Sequence, residues 1–202
     1  SKPVPFVEQV AIGMPKDYMT ADQRFAGRRP DVLVFQTEPL ASDLTLAGPL
    51  RPELFVATTG TDADWVVKLI DVYPDDFHNP DFRDTGSPWD RTPNPMGGYQ
   101  QLVRGEVMRG KYRDSLSKPA PFAPGQPTRL AWAMNDIFHT FRKGHRVMIQ
   151  IQSTWFPLMD RNPQQFMDIN KARPEDYRKA THTVFHDAVR PSGIGVGIVS
   201  GN

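Results

Sequence analysis

Twenty prolines and fifteen glycines interrupt this chain at short intervals, and the segments between them are rich in β-branched and aromatic residues that alternate with a period of two. That pattern specifies short strands, because a proline removes a ladder donor and a glycine weakens the strand wherever it falls. Residues 31–37, 44–47, 54–59, 65–73, 100–108, 129–134, 146–153, 181–186 and 194–199 read as strands. About nine strands with few helices predict an all-β, two-sheet sandwich. At 202 residues the chain can bury a real core as one large β domain.

Two strands are informative about position. In 146–152 the residues Val147, Ile149 and Ile151 share one face and Met148, Gln150 and Gln152 the other, which predicts one core-facing and one wetter side. In 65–73 neither face is wholly polar, so the strand is expected to be central, with Lys68 and Asp71 in need of partners. Three stretches are not strands. Residues 16–25 have a helix-compatible composition with Asp17 as N-cap, 74–98 form a long Pro-, Asp- and Asn-rich loop, and 156–176 form an irregular excursion with one helical turn.

The 24 Lys and Arg balance 23 Asp and Glu, so no net field steers the chain toward nucleic acid or an anionic membrane. The absence of cysteine excludes disulfides, a thiolate nucleophile and cysteine-ligated zinc. Apolar runs fall far short of the roughly 20 residues a membrane helix needs. The first residues, Ser1 to Phe6, lack the basic and apolar regions of a signal peptide and read as the interior of a longer chain.

Catalytic motifs are wanting. The α/β type of serine hydrolase needs Gly-x-Ser-x-Gly, since its nucleophile sits on a strained turn that only small neighbours permit. No serine has a glycine two residues away on both sides, and Ser192, next to Gly193, and Ser153, which reads as a hydroxyl at the core edge, do not fit it, so no catalytic residue is assigned. His182 and His186 would share a zinc face on a helix, but in a strand they stand about 13 Å apart, and no Glu follows the first of them. His145, at a turn leading into a strand, reads as a hydrogen-bonded structural residue. Asp75, Asp76, Asp81 and Asp84 could offer oxygens to calcium, yet their spacing does not match an EF-hand and a solvated loop is the commoner reading. Gly193, Gly195 and Gly197 lie too near the terminus for a helix to follow, so they mark a tightly fitted closing strand and not a phosphate loop. No metal or cofactor is implied. Trp65, Trp89, Trp132 and Trp155 could stack on sugars, which supports an alternative reading as a free-standing carbohydrate-binding module, although at least two of them are expected in the core.

Several segments, in order and over nearly the whole chain, carry a resemblance. They are Arg28 to Leu33, Thr37 to Leu40, Thr58 to Pro74, Arg104 to Glu106 with Arg109 to Arg113, Lys143 to Met148, and Ser153 to Pro163. The chain resembles the C-terminal non-catalytic domain of the X-Pro dipeptidyl-peptidase, cocaine esterase and α-amino-acid ester hydrolase family, which includes glutaryl-7-ACA acylase-like proteins. The resemblance implies a jelly-roll, galactose-binding-like sandwich over 31–202, reached through a linker at 1–30 from an upstream α/β-hydrolase domain that supplies Ser, Asp and His. It implies an accessory role: one wall of the active-site cleft, packing on the catalytic domain, and support for a homo-oligomer. The parent would be an enzyme in a bacterial periplasm, medium or cytoplasm, while this chain alone would be inactive and would show an apolar patch near Trp65. By position, Asp64 and Trp65 match a turn that sets an aromatic ring against the substrate pocket, so both are expected to line substrate, with Trp65 filling the domain seam as the other reading. The loop 75–96 looks longer than in the family, and whether it reaches the active site or covers an edge stays open.

Overall fold

The computed structural model describes residues 22–78 and 95–199. Asp17, Asp81, Asp84, Trp89 and most of the long loop lie outside the described residues. Within them a one-turn helix α1 (Arg24–Gly27) precedes nine strands: β1 (Val32–Gln36), β2 (Leu44–Thr58), β3 (Asp64–Val72), β4 (Gln100–Arg109), β5 (Thr128–Ala131), β6 (Asp136–Phe141), β7 (Arg146–Gln152), β8 (His182–Phe185) and β9 (Gly193–Ile198). Four form an antiparallel sheet in the order β1-β7-β3-β4, and the other five gather around β2 in a second. The architecture is an all-β sandwich, as the alternation predicts.

The core lies between the sheets. Leu46, Leu50, Leu54 and Val56 of β2, Trp65, Val67 and Leu69 of β3, Leu130 of β5, Phe141 of β6 and Ile151 of β7 meet there. Alternation makes this automatic, because residues two apart on a strand project to the same side.

The two strands expected at 44–47 and 54–59 are one, 15 residues long and running through Pro49 and Pro52. Its first part pairs with β6 and its last part with β5 and β8, while the ladder to β9 shifts register between Ala47 and Arg51. The prolines sit where the partners change, and Gly48 takes a left-handed conformation at φ +87° just before them. A missing donor costs least at such a break. β6 was not expected; its Phe138 points outward at 79% exposure, which breaks the apolar pattern that marks a strand.

The second face of the four-stranded sheet corrects the reading of 146–152. Gln150 and Gln152 are buried, as are Met148 and Lys68. The backbone just before α1 covers this face: Gln23 is fully buried and its Oε1 accepts from Lys68 Nζ at 2.8 Å. Trp155 closes it from the other side, with its ring 4.6 Å from Lys68 Nζ. Of the helix expected at 16–25, residues 16–21 lie outside the described residues, and Arg24 and Phe25 fall in α1.

Gly105 is needed under that ring. A Cβ there would lie 2.5 Å from Trp155 Cη2 and 3.3 Å from Lys68 Cγ. Gly105→Ala is therefore expected to displace the indole and to cost about 1–3 kcal/mol. Thermal melts should read this as a fall of a few degrees, with a red shift of tryptophan emission.

Candidate functional site

The sandwich opens between β1 and β8 into a cleft of about 1130 Å³. Leu33 of β1, Ile151 of β7 and Trp65 of β3 line one side, His182 and Val184 of β8 the other. The excursion after β7 rims it, contributing Arg161, Gln164, Tyr177, Arg178 and Lys179. As the sequence suggests, this excursion is irregular, with two short 3₁₀ turns at Ile169–Lys171 and Pro174–Asp176.

Gln164 organises the floor. It adopts φ 65°, a left-handed conformation unusual for a side chain larger than glycine. Its backbone is held on both sides, since its N–H donates to Asn162 Oδ1 at 2.8 Å and its carbonyl accepts from Thr61 N at 3.2 Å. Gly60 permits that approach, because a Cβ there would collide with the Gln164 carbonyl. The Gln164 amide oxygen bonds His182 Nε2 at 2.7 Å. The His182 ring in turn packs on Trp65, with centroids 5.0 Å apart, and burial lowers its pKa.

Behind this floor lies a buried polar cluster. Asn162 Nδ2 donates to Asp64 Oδ1 at 2.9 Å, and Lys111 Nζ stands 3.8 Å from Asp62 Oδ2 and donates to the Met167 carbonyl at 2.9 Å. Burial pushes the Asp64 carboxyl up to about 6, with the Asn162 hydrogen bond pulling the other way, and raises Asp62 for the same reason. The cluster ties the excursion to the start of β3. It forms a scaffold under the cleft.

Of the two residues singled out in the sequence, Trp65 lines the cleft at 2% exposure and its Nε1 has no acceptor among the described residues. Asp64 is 3% exposed and serves the cluster. The apolar patch expected near Trp65 lies two strands away, on β1, where Leu33, Val34 and Phe35 are exposed. His182 and His186 go separate ways: His186 packs edge-on against Phe35 with centroids 6.1 Å apart. The reading of the sequence missed Gln164, His182 as a floor residue, and the basic rim. Each depends on the path of an excursion that has no periodicity.

The arrangement can hold an apolar and anionic partner. Among the described serines, Ser192 bonds the backbone of Phe55 and Ser115 lies next to Ser117, and none is hydrogen-bonded to a histidine. The family model for the X-Pro dipeptidyl-peptidase C-terminal non-catalytic domain matches residues 15–194. The chain belongs to this family. A curated relative, cocaine esterase of Rhodococcus sp. (strain MB1 Bresler), is 29% identical over 98% of the chain, and the chain spans 30% of that protein's length. Among solved structures, an aminopeptidase from a marine sediment archaeon, Thaumarchaeota archaeon, superposes with a TM-score of 0.83 at 41% identity, covering 98% of this chain and 32% of that one. An α-amino acid ester hydrolase superposes with a TM-score of 0.79 at 43% identity, covering 90% of this chain and 28% of that one. The X-Pro dipeptidyl-peptidase C-terminal domain is thus a non-catalytic unit in a family of hydrolases.

Proposed function

We propose that this domain forms one wall of the active-site cleft of a serine hydrolase and packs on its catalytic α/β-hydrolase domain. The parent cleaves esters or amides of amino-acid-like acyl groups, or X-Pro dipeptides, through an acyl-enzyme. The segment up to residue 30 carries the chain out of the catalytic domain. The observation that carries this reading is the open cleft beside an uncharged apolar strand edge, in a chain that spans about a third or less of its relatives. Such a surface needs a cover.

Trp65 is the residue we connect to substrate, with Asp64 fixing its strand. In the full-length enzyme, Trp65→Phe is expected to raise KM about tenfold while kcat stays within about twofold, the signature of lost uniform binding. Steady-state kinetics on amino-acid esters, β-lactam amides and X-Pro dipeptide amides would check this and rank the substrates. An unchanged KM with a lowered melting temperature would place Trp65 in the seam between domains instead.

The carbohydrate-module reading finds no support in the three described tryptophans. Trp65 is buried, Trp132 is half-buried against the core, and Trp155 covers Lys68.

A further inference from the structure

Among the described residues β1 is an edge strand, with β7 on one side and no strand on the other. Its sequence, VLVFQ, contains no charge and no proline, and Leu33, Val34 and Phe35 are 43%, 37% and 42% exposed. Natural sheets protect a free edge with a charge, a proline, a bulge or a covering element, because unpaired donors and acceptors recruit another strand. Here none of the first three is present.

The adjoining rim is basic. Arg161, Arg178 and Lys179 are exposed along the cleft, and among the described residues none forms an ion pair with a carboxylate. Arg161 is held between the rings of Phe156 and Tyr177, at 5.5 and 5.4 Å. The one acid that lines the cleft, Asp31, is already paired with Arg29. The cleft is also larger than the roughly 300–1,000 Å³ of an ordinary small-molecule pocket.

We propose that the free edge of β1 and the basic rim beside it together seat an extended, carboxylate-bearing segment of the upstream catalytic domain. The segment adds to β1 through backbone hydrogen bonds and lays apolar side chains over Leu33 and Phe35, and its carboxylates meet Arg161, Arg178 and Lys179. Apolar cover supplies the attachment and the charges set its register. This inference rests on the accessory-domain reading and identifies the face that docks.

The test uses the full-length parent. A zero-length carbodiimide cross-linker joins an ammonium group to a carboxylate in contact with it, and mass spectrometry locates the link. Lys179 is expected to couple to an Asp or Glu of the upstream domain. In hydrogen exchange, the β1 amides that do not bond β7 are expected to be protected in the wild type and to exchange at least about tenfold faster in the triple variant Arg161→Glu/Arg178→Glu/Lys179→Glu. Amides of the central strand β3 should keep their protection in both, which shows that the variant folds. Unchanged β1 protection in the variant would overturn the proposal, as would a Lys179 link only to a second copy of the chain. Cross-links to the upstream domain through other lysines, with β1 exchanging freely, would reject this face and leave the accessory-domain reading standing. No link between the domains at all would reject both.

Discussion

Asp71→Ala is expected to destabilise the domain by about 3–4 kcal/mol and to lower its melting temperature by about 6–15 °C. Asp71 sits on central strand β3, and both of its carboxylate oxygens are used: Oδ1 bonds His145 Nδ1 at 2.7 Å and Oδ2 bonds His139 Nε2 at 2.9 Å. His139 belongs to β6 in the opposite sheet and His145 to the turn before β7, so one side chain fastens the two layers together. Both rings are further packed, His145 on Tyr73 at 4.6 Å and His139 on Phe141 at 4.7 Å. Alanine would leave the buried His145 facing a void without its acceptor, and that desolvation penalty dominates the loss. Asp71→Asn keeps an acceptor oxygen and should cost about 1 kcal/mol. Urea titration of the three proteins checks the order; a loss below about 1 kcal/mol for the alanine variant would refute the clamp.

Lys68→Met is expected to have the opposite effect. Lys68 is 1% exposed, with Gln23 Oε1 and the Trp155 ring as its partners, and burial pushes its amine down to about 7, helped by the charge of Arg29. Between pH 7 and its ordinary value of 10.5 the unfolded chain holds a proton that the native chain has shed. Stability therefore rises with pH through that window, and the cost of burying the charge is full below it. At about 1.4 kcal/mol per pH unit, the wild type should gain about 3 kcal/mol between pH 7 and 9.5 from this group. Methionine fills similar space without a charge; at pH 6.5 it should stabilise by about 2 kcal/mol after the loss of the Gln23 hydrogen bond, and the alkaline rise should flatten.

Asp64 works on the other side of neutrality. Its folded value of about 6 lies above the ordinary 3.8, so the native chain holds the extra proton and stability falls as pH rises from about 4 to 6. Melting temperatures measured from pH 4 to 9.5 should pass through a minimum between pH 6 and 7. Lys68→Met should flatten the alkaline limb alone, and Asp64→Asn should make the acid limb alone shallower, with Asp62, raised by the same burial, keeping part of it. Parallel pH profiles in all three proteins would contradict both assignments.

Much of this molecule follows from local rules that act along the chain. Alternation placed Val67, Leu69 and Ile151 in the core, marked β3 as central, and identified Lys68 and Asp71 as residues in need of partners, because a strand apolar on both faces can lie only inside a sheet. Of the three glycines read as marking a tightly fitted β9, only Gly197 does so, where a Cβ would strike the Ala47 carbonyl; Gly195 meets Arg51 at ordinary contact distance and Gly193 faces open space. Family membership was also legible, in segments spread over most of the chain.

Other features depend on which parts of the chain meet. Sequence could demand a partner for Lys68 but not choose Gln23, 45 residues away, and could not foresee that Gln150 would be buried beneath the segment before α1 or that Gln152 would be buried at all. Nor could it join 44–47 to 54–59 through two prolines, since that needs the ladders of four partner strands. The cleft is the clearest case. Trp65, Gln164, His182 and the three basic residues of its rim come from segments with no shared periodicity, and only the closure of two sheets around an open edge brings them together. Period-two alternation reports which way a side chain points; which strand lies across from it is settled by packing between residues far apart in sequence.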